Sequence, residues 1–103
     1  MVRNPRGLGI EDIIGDKRQA VIDLAARHGA FNVRVVGSVA RGEARPDSDI
    51  DLLMTIPGPR SIFDLVGLWL DLQDLLGRDV SIIPDSAPDE DFMRSVLEDA
   101  IPL

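Results

Sequence analysis

Two short motifs in the middle of the chain restrict its fold more than any other feature. Residues 37–42 read Gly-Ser-Val-Ala-Arg-Gly after an apolar segment, which predicts a strand that turns sharply into a short helix. Residues 49–54 read Asp-Ile-Asp-Leu-Leu-Met, which predicts a second strand. Because side chains alternate along a strand, we expect Asp49 and Asp51 on one face, roughly 7 Å apart along the backbone. A sharp turn and a pair of carboxylates are therefore expected on one small sheet.

Together the two motifs predict a nucleotide site. Backbone N–H groups at a helix start can bind phosphate, so Gly37 and Ser38 are candidate phosphate-binding residues. Two carboxylates on one face can hold a pair of divalent ions about 3.5–4 Å apart, the arrangement that transfers phosphoryl and nucleotidyl groups. Asp49 and Asp51 could instead be surface charges on an edge strand. However, carboxylates facing one patch repel each other unless a cation lies between them, which favours metal binding.

Other residues of the motifs have simpler interpretations beside the functional ones. Gly37 can merely supply a tight turn, and Ser38 can serve as the N-cap of the short helix. Arg41 is a further candidate for phosphate contact, although an arginine in an exposed helical turn is usually solvated. Asp47 and Ser48 are expected to shape the turn before the second strand.

Residues 37–52 closely resemble the signature of the minimal nucleotidyltransferases, small members of the DNA-polymerase-β-like superfamily that are often antitoxins of HEPN-domain toxins. The resemblance implies ATP bound with two magnesium ions. It implies transfer of AMP to a hydroxyl of a HEPN-like partner protein by a metal-dependent nucleotidyltransferase that acts as the antitoxin of the pair. By the same resemblance, the catalytic and metal-binding residues are Asp49 and Asp51, and the nucleotide-binding residues are Gly37, Ser38 and Arg41.

One position departs from the family pattern. The family usually has a third carboxylate on the next strand, and in the corresponding residues 77–83 its place is taken by Ser81. A neutral hydroxyl is a poor metal ligand and a negligible base at pH 7. Asp79 shares that strand face if the register holds, although an exposed position at the start of the strand suits it better. A catalytically degenerate module that binds nucleotide and partner without turnover is therefore a second interpretation. An interaction domain without a ligand is a third, which the motifs favour less.

Composition limits the remaining possibilities. The 103 residues predict a single nucleotidyltransferase-like domain over 1–103, with 1–8 frayed. Eleven basic against eighteen acidic residues give a net charge of −7, which argues against direct nucleic-acid binding. The absence of cysteine excludes disulfides and cysteine metal sites. No apolar run suits a membrane span and no signal-peptide pattern opens the chain, so we expect a cytoplasmic protein without a membrane partner.

The pattern of apolar residues predicts alternating helices and short strands. Helices are expected over 10–28, 61–76 and 89–99, and strands over 32–36, 49–56 and 79–83. Gly15 weakens the first helix, which could instead begin at Asp16 in a capping box with Gln19. This order predicts an α/β (α+β) fold, a short mixed β-sheet packed by helices.

Two apolar surfaces predict association with another chain. The helix over 61–76 is apolar around more than half its circumference, whereas packing on a sheet needs a narrower stripe. Residues 92–103 offer a second apolar edge. Such patches usually mark an interface, so we expect either a HEPN-like partner or a homo-oligomer. Core packing is the leading interpretation of Trp69, and His28 is expected to be a surface residue at a helix C-terminus.

Overall fold

The computed structural model describes residues 7–58, 61–86 and 89–103. Its elements in chain order are α1 (Ile10–Ile13), a 3₁₀ turn (Gly15–Lys17), α2 (Arg18–Arg27), β1 (Phe31–Val36), α3 (Gly37–Ala40), β2 (Ile50–Thr55), α4 (Ile62–Leu76), β3 (Val80–Pro84), α5 (Glu90–Asp99) and β4 (Ile101–Pro102).

The four strands form one mixed sheet in the order β3-β2-β1-β4. Strand β1 is antiparallel to both β2 and β4, whereas β2 and β3 are parallel. The predicted α+β fold with a short mixed sheet is therefore confirmed. In this register Asp51 of β2 lies between Val36 of β1 and Ser81 of β3. Strand β4 was not predicted, because a two-residue strand has no periodic pattern and depends on its pairing with β1.

The hydrophobic core lies between helices α2 and α4 and one face of the sheet. Leu68 and Leu72 of α4 are buried in the same cluster as Ile50, Leu52 and Met54 of β2. Because side chains alternate along β2, the core positions turn Asp51 toward the opposite face of the sheet. Packing of β2 therefore determines the face on which the carboxylates lie.

The first helical region is broken, so the prediction of one helix over 10–28 is wrong. Gly15 has a φ of +52°, a left-handed conformation that interrupts a right-handed helix. The capping box at Asp16 is also wrong, since Asp16 lies inside the 3₁₀ turn and α2 starts after Lys17 without a side-chain cap. Both parts still pack on the core, since Ile14 is buried in the same cluster as Val21 and Ala25 of α2.

Helix α4 has the predicted ends. The Ser61 hydroxyl accepts a hydrogen bond from the Phe63 N–H at 3.0 Å, and Gly77 terminates the helix with a φ of +68°. Core packing does not describe Trp69, whose side chain is 39% exposed and whose Nε1 donates to the Val80 carbonyl at 2.6 Å. The Gln73 side chain accepts from the Val80 N–H at 3.2 Å, so α4 satisfies both backbone groups of Val80 at the start of this edge strand.

Of the N-terminal residues 1–8, which were expected to be frayed, the structure describes the last two. Residues 1–6 lie outside the described residues. Leu8 is not frayed, because it exchanges two backbone hydrogen bonds with Ala44, at 2.7 and 3.1 Å. Among the described helices, none combines the length and apolarity needed to cross a bilayer.

Candidate active site

The turn after β1 presents backbone groups toward the middle of the sheet. Strand β1 ends at Val36, Gly37 has a φ of +71°, and α3 forms a single helical turn. Val36 is the N-cap residue and makes no side-chain cap bond, so Ser38 does not serve as the N-cap. The Ser38 carbonyl instead accepts from the Glu43 N–H at 2.8 Å, which closes the loop. The first N–H groups of a helix have no partner within it, and here they border the predicted phosphate position.

A direct contact joins the two sequence motifs. A Cβ atom built on Gly37 would lie 2.6 Å from Oδ2 of Asp51, far inside van der Waals contact. Gly37 is therefore required for close approach of the carboxylate as well as for its left-handed backbone. The tight-turn interpretation of this glycine is correct but incomplete. The structure therefore brings the start of the loop at Gly37 against Asp51.

The electrostatics of Asp51 suit a bound cation. Partial burial raises the pKa of the Asp51 carboxyl, and the negative charge of Asp49 raises it further. Polar contact with the Ser81 hydroxyl and the positive charge of Arg41 oppose this rise without cancelling it. Asp49 and Asp51 therefore fit a divalent cation. Such an ion would offset the cost of burying the Asp51 charge and the repulsion between the two carboxylates. Among the described residues, this site included, no group of three or more His, Cys, Asp or Glu side chains is placed to hold a metal ion, so the site offers a carboxylate pair rather than a triad.

A clamped turn positions Asp49. The Ser48 hydroxyl accepts from the Arg45 N–H at 2.8 Å, and the Ser48 N–H donates to the Arg45 carbonyl at 3.0 Å. Ser48 therefore shapes the turn, as predicted. Arg78, at the junction of α4 and β3, donates from Nη1 to the Ser48 carbonyl at 3.2 Å. Sequence reasoning missed Arg78, because its partner lies 30 residues away.

The third strand places Ser81 directly beside Asp51. The parallel pairing aligns these two residues, so Ser81 occupies the strand position where the family pattern has a carboxylate. Asp79 is exposed just before β3, and its carbonyl accepts from the Ile50 N–H at 2.9 Å. The structure thus agrees with Asp79 as an exposed residue at the start of the strand.

Arg41 is anchored rather than simply solvated. Its Nε donates to Oε1 of Glu43 at 2.7 Å, and its Nη1 donates to Oδ2 of Asp99 at 2.8 Å. These two acids raise the pKa of the guanidinium, Glu43 most. Neither acid stood out in the sequence, because Glu43 reads as an ordinary loop charge and Asp99 is 58 residues away.

An apolar groove opens beside the site. It has a volume of about 660 Å³ and follows the outer edge of β3, with α4 as its wall. Ile62, Val66 and Trp69 line it from the helix, whereas Asp49 and Ser81 border it at the end nearest the carboxylates. A chain lying in this groove would therefore reach the candidate site.

Sequence comparison relates the chain to a known family. The nucleotidyltransferase domain family matches residues 17–103. A candidate protein adenylyltransferase of Methanocaldococcus jannaschii is 33% identical over 70 residues, which cover 68% of this chain and 75% of the relative. The protein adenylyltransferase MntA of Thermococcus cleftensis is 32% identical over 79 residues, covering 77% and 80% respectively.

Solved structures agree on the architecture. A candidate minimal nucleotidyltransferase is 49% identical, with a TM-score of 0.76 over 84% of this chain and 89% of that one. A toxin–antitoxin complex with AMP-PNP superposes with a TM-score of 0.72 over 82% of this chain and 70% of that one, and its 17% identity supports the fold alone. On the match over residues 17–103 and this shared architecture, the chain belongs to the nucleotidyltransferase domain family and is of the minimal nucleotidyltransferase type.

Proposed function

We propose that this nucleotidyltransferase transfers AMP from ATP to a hydroxyl group of a toxin-type protein partner. The observation that carries the proposal is the contact of the Asp51 carboxylate with Gly37, which makes the phosphate-loop motif and the carboxylate motif one site. The names of two relatives, both protein adenylyltransferases, support the choice of AMP and of a protein acceptor.

In this proposal each residue of the site has a defined role. Backbone N–H groups at Gly37 and Ser38 bind the triphosphate, and Arg41 contacts it through its guanidinium. Asp49 and Asp51 would hold divalent magnesium, which neutralises phosphate charge when bound. The acceptor hydroxyl gives its proton to water as its oxygen attacks the α-phosphorus, and the bond to the bridging oxygen breaks so that pyrophosphate leaves with that electron pair. The chain contributes mainly orientation and electrostatic stabilisation.

The partner surface follows from the groove and the exposed face of α4. Phe63 is 83% exposed and Leu70 is 52% exposed, on the helix that also lines the groove. Apolar side chains of this size are rarely left in water over a contiguous patch. A toxin of the HEPN type would cover this face and present its hydroxyl at the carboxylate end of the groove.

The deciding experiment is transfer of labelled AMP. The chain is incubated with magnesium, a co-expressed HEPN-domain toxin and ATP labelled at the α-phosphate, and label on the toxin is measured. We expect transfer that stops with a chelator, stops with Asp51→Asn, and is absent when the label is on the γ-phosphate. Asp74→Asn, an exposed carboxylate of α4, is the matched control and should transfer normally. Lack of transfer under every condition would reject the proposal.

Ser81 supports a second candidate function, a module that binds nucleotide and partner without turnover. It lies beside Asp51 in the strand position where the family pattern has a carboxylate. In this case Mg·ATP binds to the native chain but is not consumed. Ser81→Asp should then raise transfer, since a positioned general base contributes about 10²–10⁴-fold. Fast transfer by the native chain, unchanged by Ser81→Asp, would exclude this candidate.

A further inference from the structure

Two carboxylates from separate parts of the chain hold the Arg41 side chain. Glu43, two residues later in the loop, accepts from Nε at 2.7 Å, whereas Asp99, the last residue of α5, accepts from Nη1 at 2.8 Å. A guanidinium is planar, with its five N–H groups in a rigid fork. Acceptors on two of its nitrogens therefore restrict both its position and the orientation of its plane.

The guanidinium remains part of the candidate site while it is held in this way. The Arg41 N–H donates to the Gly37 carbonyl at 3.1 Å, so Arg41 lies one helical turn after the glycine that contacts Asp51, and its charge opposes the rise in the Asp51 pKa. The bonds to Glu43 and Asp99 use Nε and Nη1 and leave the N–H groups of Nη2 for an anion. The Arg41 side chain is 44% exposed, so a phosphate can approach it from solvent.

The position of Asp99 is itself determined by the sheet. After Asp99 the single residue Ala100 leads into β4, where Ile101 pairs with Val35 of β1. Val35 lies two residues before Gly37, so the strand that leads into the phosphate loop also anchors the end of α5. The Asp99 side chain is 31% exposed, less than either Arg41 or Glu43. The backbone next to this carboxylate is thus held by the sheet.

We propose that Asp99 and Glu43 are positioning residues, which hold the Arg41 guanidinium in the orientation that contacts the phosphates of the nucleotide. The inference rests on the proposed function of the site. An unrestrained arginine loses side-chain freedom when it contacts a ligand, and this loss weakens binding. Here the two carboxylates impose the order before the nucleotide arrives. Asp99 should therefore influence nucleotide affinity only through Arg41.

The test compares Mg·ATP affinities by isothermal titration calorimetry for the native chain, Asp99→Ala, Arg41→Ala and the double variant. Because ordering a side chain at an interface costs an amount that corresponds to about 3- to 10-fold in affinity, Asp99→Ala should weaken binding by that factor. Arg41→Ala should weaken it further. The double variant should bind like Arg41→Ala alone, since Asp99 then has no arginine to orient.

A matched control separates positioning from a general effect on α5. Asp91 lies on the same helix, is 92% exposed and pairs with Arg94, so Asp91→Ala should leave Mg·ATP affinity unchanged. The melting temperature without ligand should be similar for the Asp91 and Asp99 variants. Two results would overturn the inference alone: unchanged or tighter binding by Asp99→Ala, or an additional loss of affinity in the Arg41→Ala background. A native chain that does not bind Mg·ATP would instead reject the proposed function, and the inference with it.

Discussion

At the scale of single residues, Gly37 combines a backbone requirement with a chemical one. Its φ of +71° lies in the region that L side chains rarely adopt, and a Cβ there would lie 2.6 Å from Oδ2 of Asp51. Either fact explains a glycine. Only the second connects the glycine to the carboxylate pair, because any side chain would displace Asp51 from the loop.

Gly37→Ala should lower the free energy of unfolding by about 1–2 kcal/mol from backbone strain alone. It should also abolish the melting-temperature increase caused by Mg·ATP. Gly58→Ala is the control, since Gly58 has a φ of +69° with nothing within 4 Å of the added Cβ. Urea unfolding and thermal melts measure both effects. If Gly58→Ala lost the nucleotide response equally, contact with Asp51 would not be the cause.

Asp51 is a residue whose charge opposes folding. Burial and the charge of Asp49 raise its pKa above the ordinary 3.8, so the folded chain binds this proton more tightly than the unfolded chain. The contribution of Asp51 to stability is therefore most favourable below pH 3.8. It is lost as the pH rises through the raised pKa, and the penalty is then constant up to neutral pH.

Asp51→Asn removes this penalty. We expect a higher melting temperature than native at pH 7 with a chelator present, and no further increase with Mg·ATP, because the cation loses a charged ligand. Asp74→Asn, on an exposed carboxylate, should change neither value. A lower melting temperature for Asp51→Asn in the absence of metal would mean that the repulsion described here is not significant.

At the scale of elements, the site depends on connections between segments. The turn that carries Asp49 is held to the α4–β3 junction by Arg78, and the phosphate loop is held to the end of α5 through Arg41 and Asp99. These are single side chains, each of which bridges two elements. Their removal should alter the site more than the fold.

Arg78→Gln tests the first connection. Loss of its hydrogen bond to the Ser48 carbonyl should cost about 1 kcal/mol in unfolding free energy. Because the turn then carries Asp49 less rigidly, the Mg·ATP-induced rise in melting temperature should shrink markedly. Arg94→Gln is the control, since Arg94 is a 72% exposed arginine of α5. Equal nucleotide responses in the two variants would contradict a role for Arg78 at the site.

At the scale of the whole molecule, two surfaces formed by the described residues leave large apolar side chains in solvent. The first, on α4, agrees with the predicted excess width of this helix and consists of Ile62, Phe63, Val66, Trp69 and Leu70. The second, on α5 and β4, contains Phe92, Leu97 and Ile101. Packing against the core of this chain accounts for neither surface. We therefore expect each of them to be covered by another chain in the functional complex.

The α4 surface predicts self-association of the isolated chain. The native chain should sediment as an oligomer with a melting temperature that rises with protein concentration, whereas the double substitution Phe63→Ser with Leu70→Ser should give a folded monomer whose melting temperature does not depend on concentration. Phe31→Ser is the control, on a phenylalanine of β1 that is 54% exposed, and should remain oligomeric. A native chain that is monomeric at every concentration tested would contradict the prediction.

Local rules within the sequence were enough to predict most of the longer elements and the fold class. Ser61 and Gly77 delimit α4 because capping acts within one helical turn. The strand over 50–55 follows from its apolar residues, and alternation alone places Asp49 and Asp51 on one face. The α+β fold follows from the order of these elements.

Contacts between residues far apart in the sequence were decided only by the tertiary structure. The alignment of Asp51 with Ser81, the pairing of Arg41 with Asp99 and the half-exposed position of Trp69 have no local signal. The strand β4 exists only because β1 supplies its partner. Capping and periodicity involve neighbours within about four residues, whereas the Arg41–Asp99 bond spans 58 positions and forms only when α5 has crossed to the edge of the sheet.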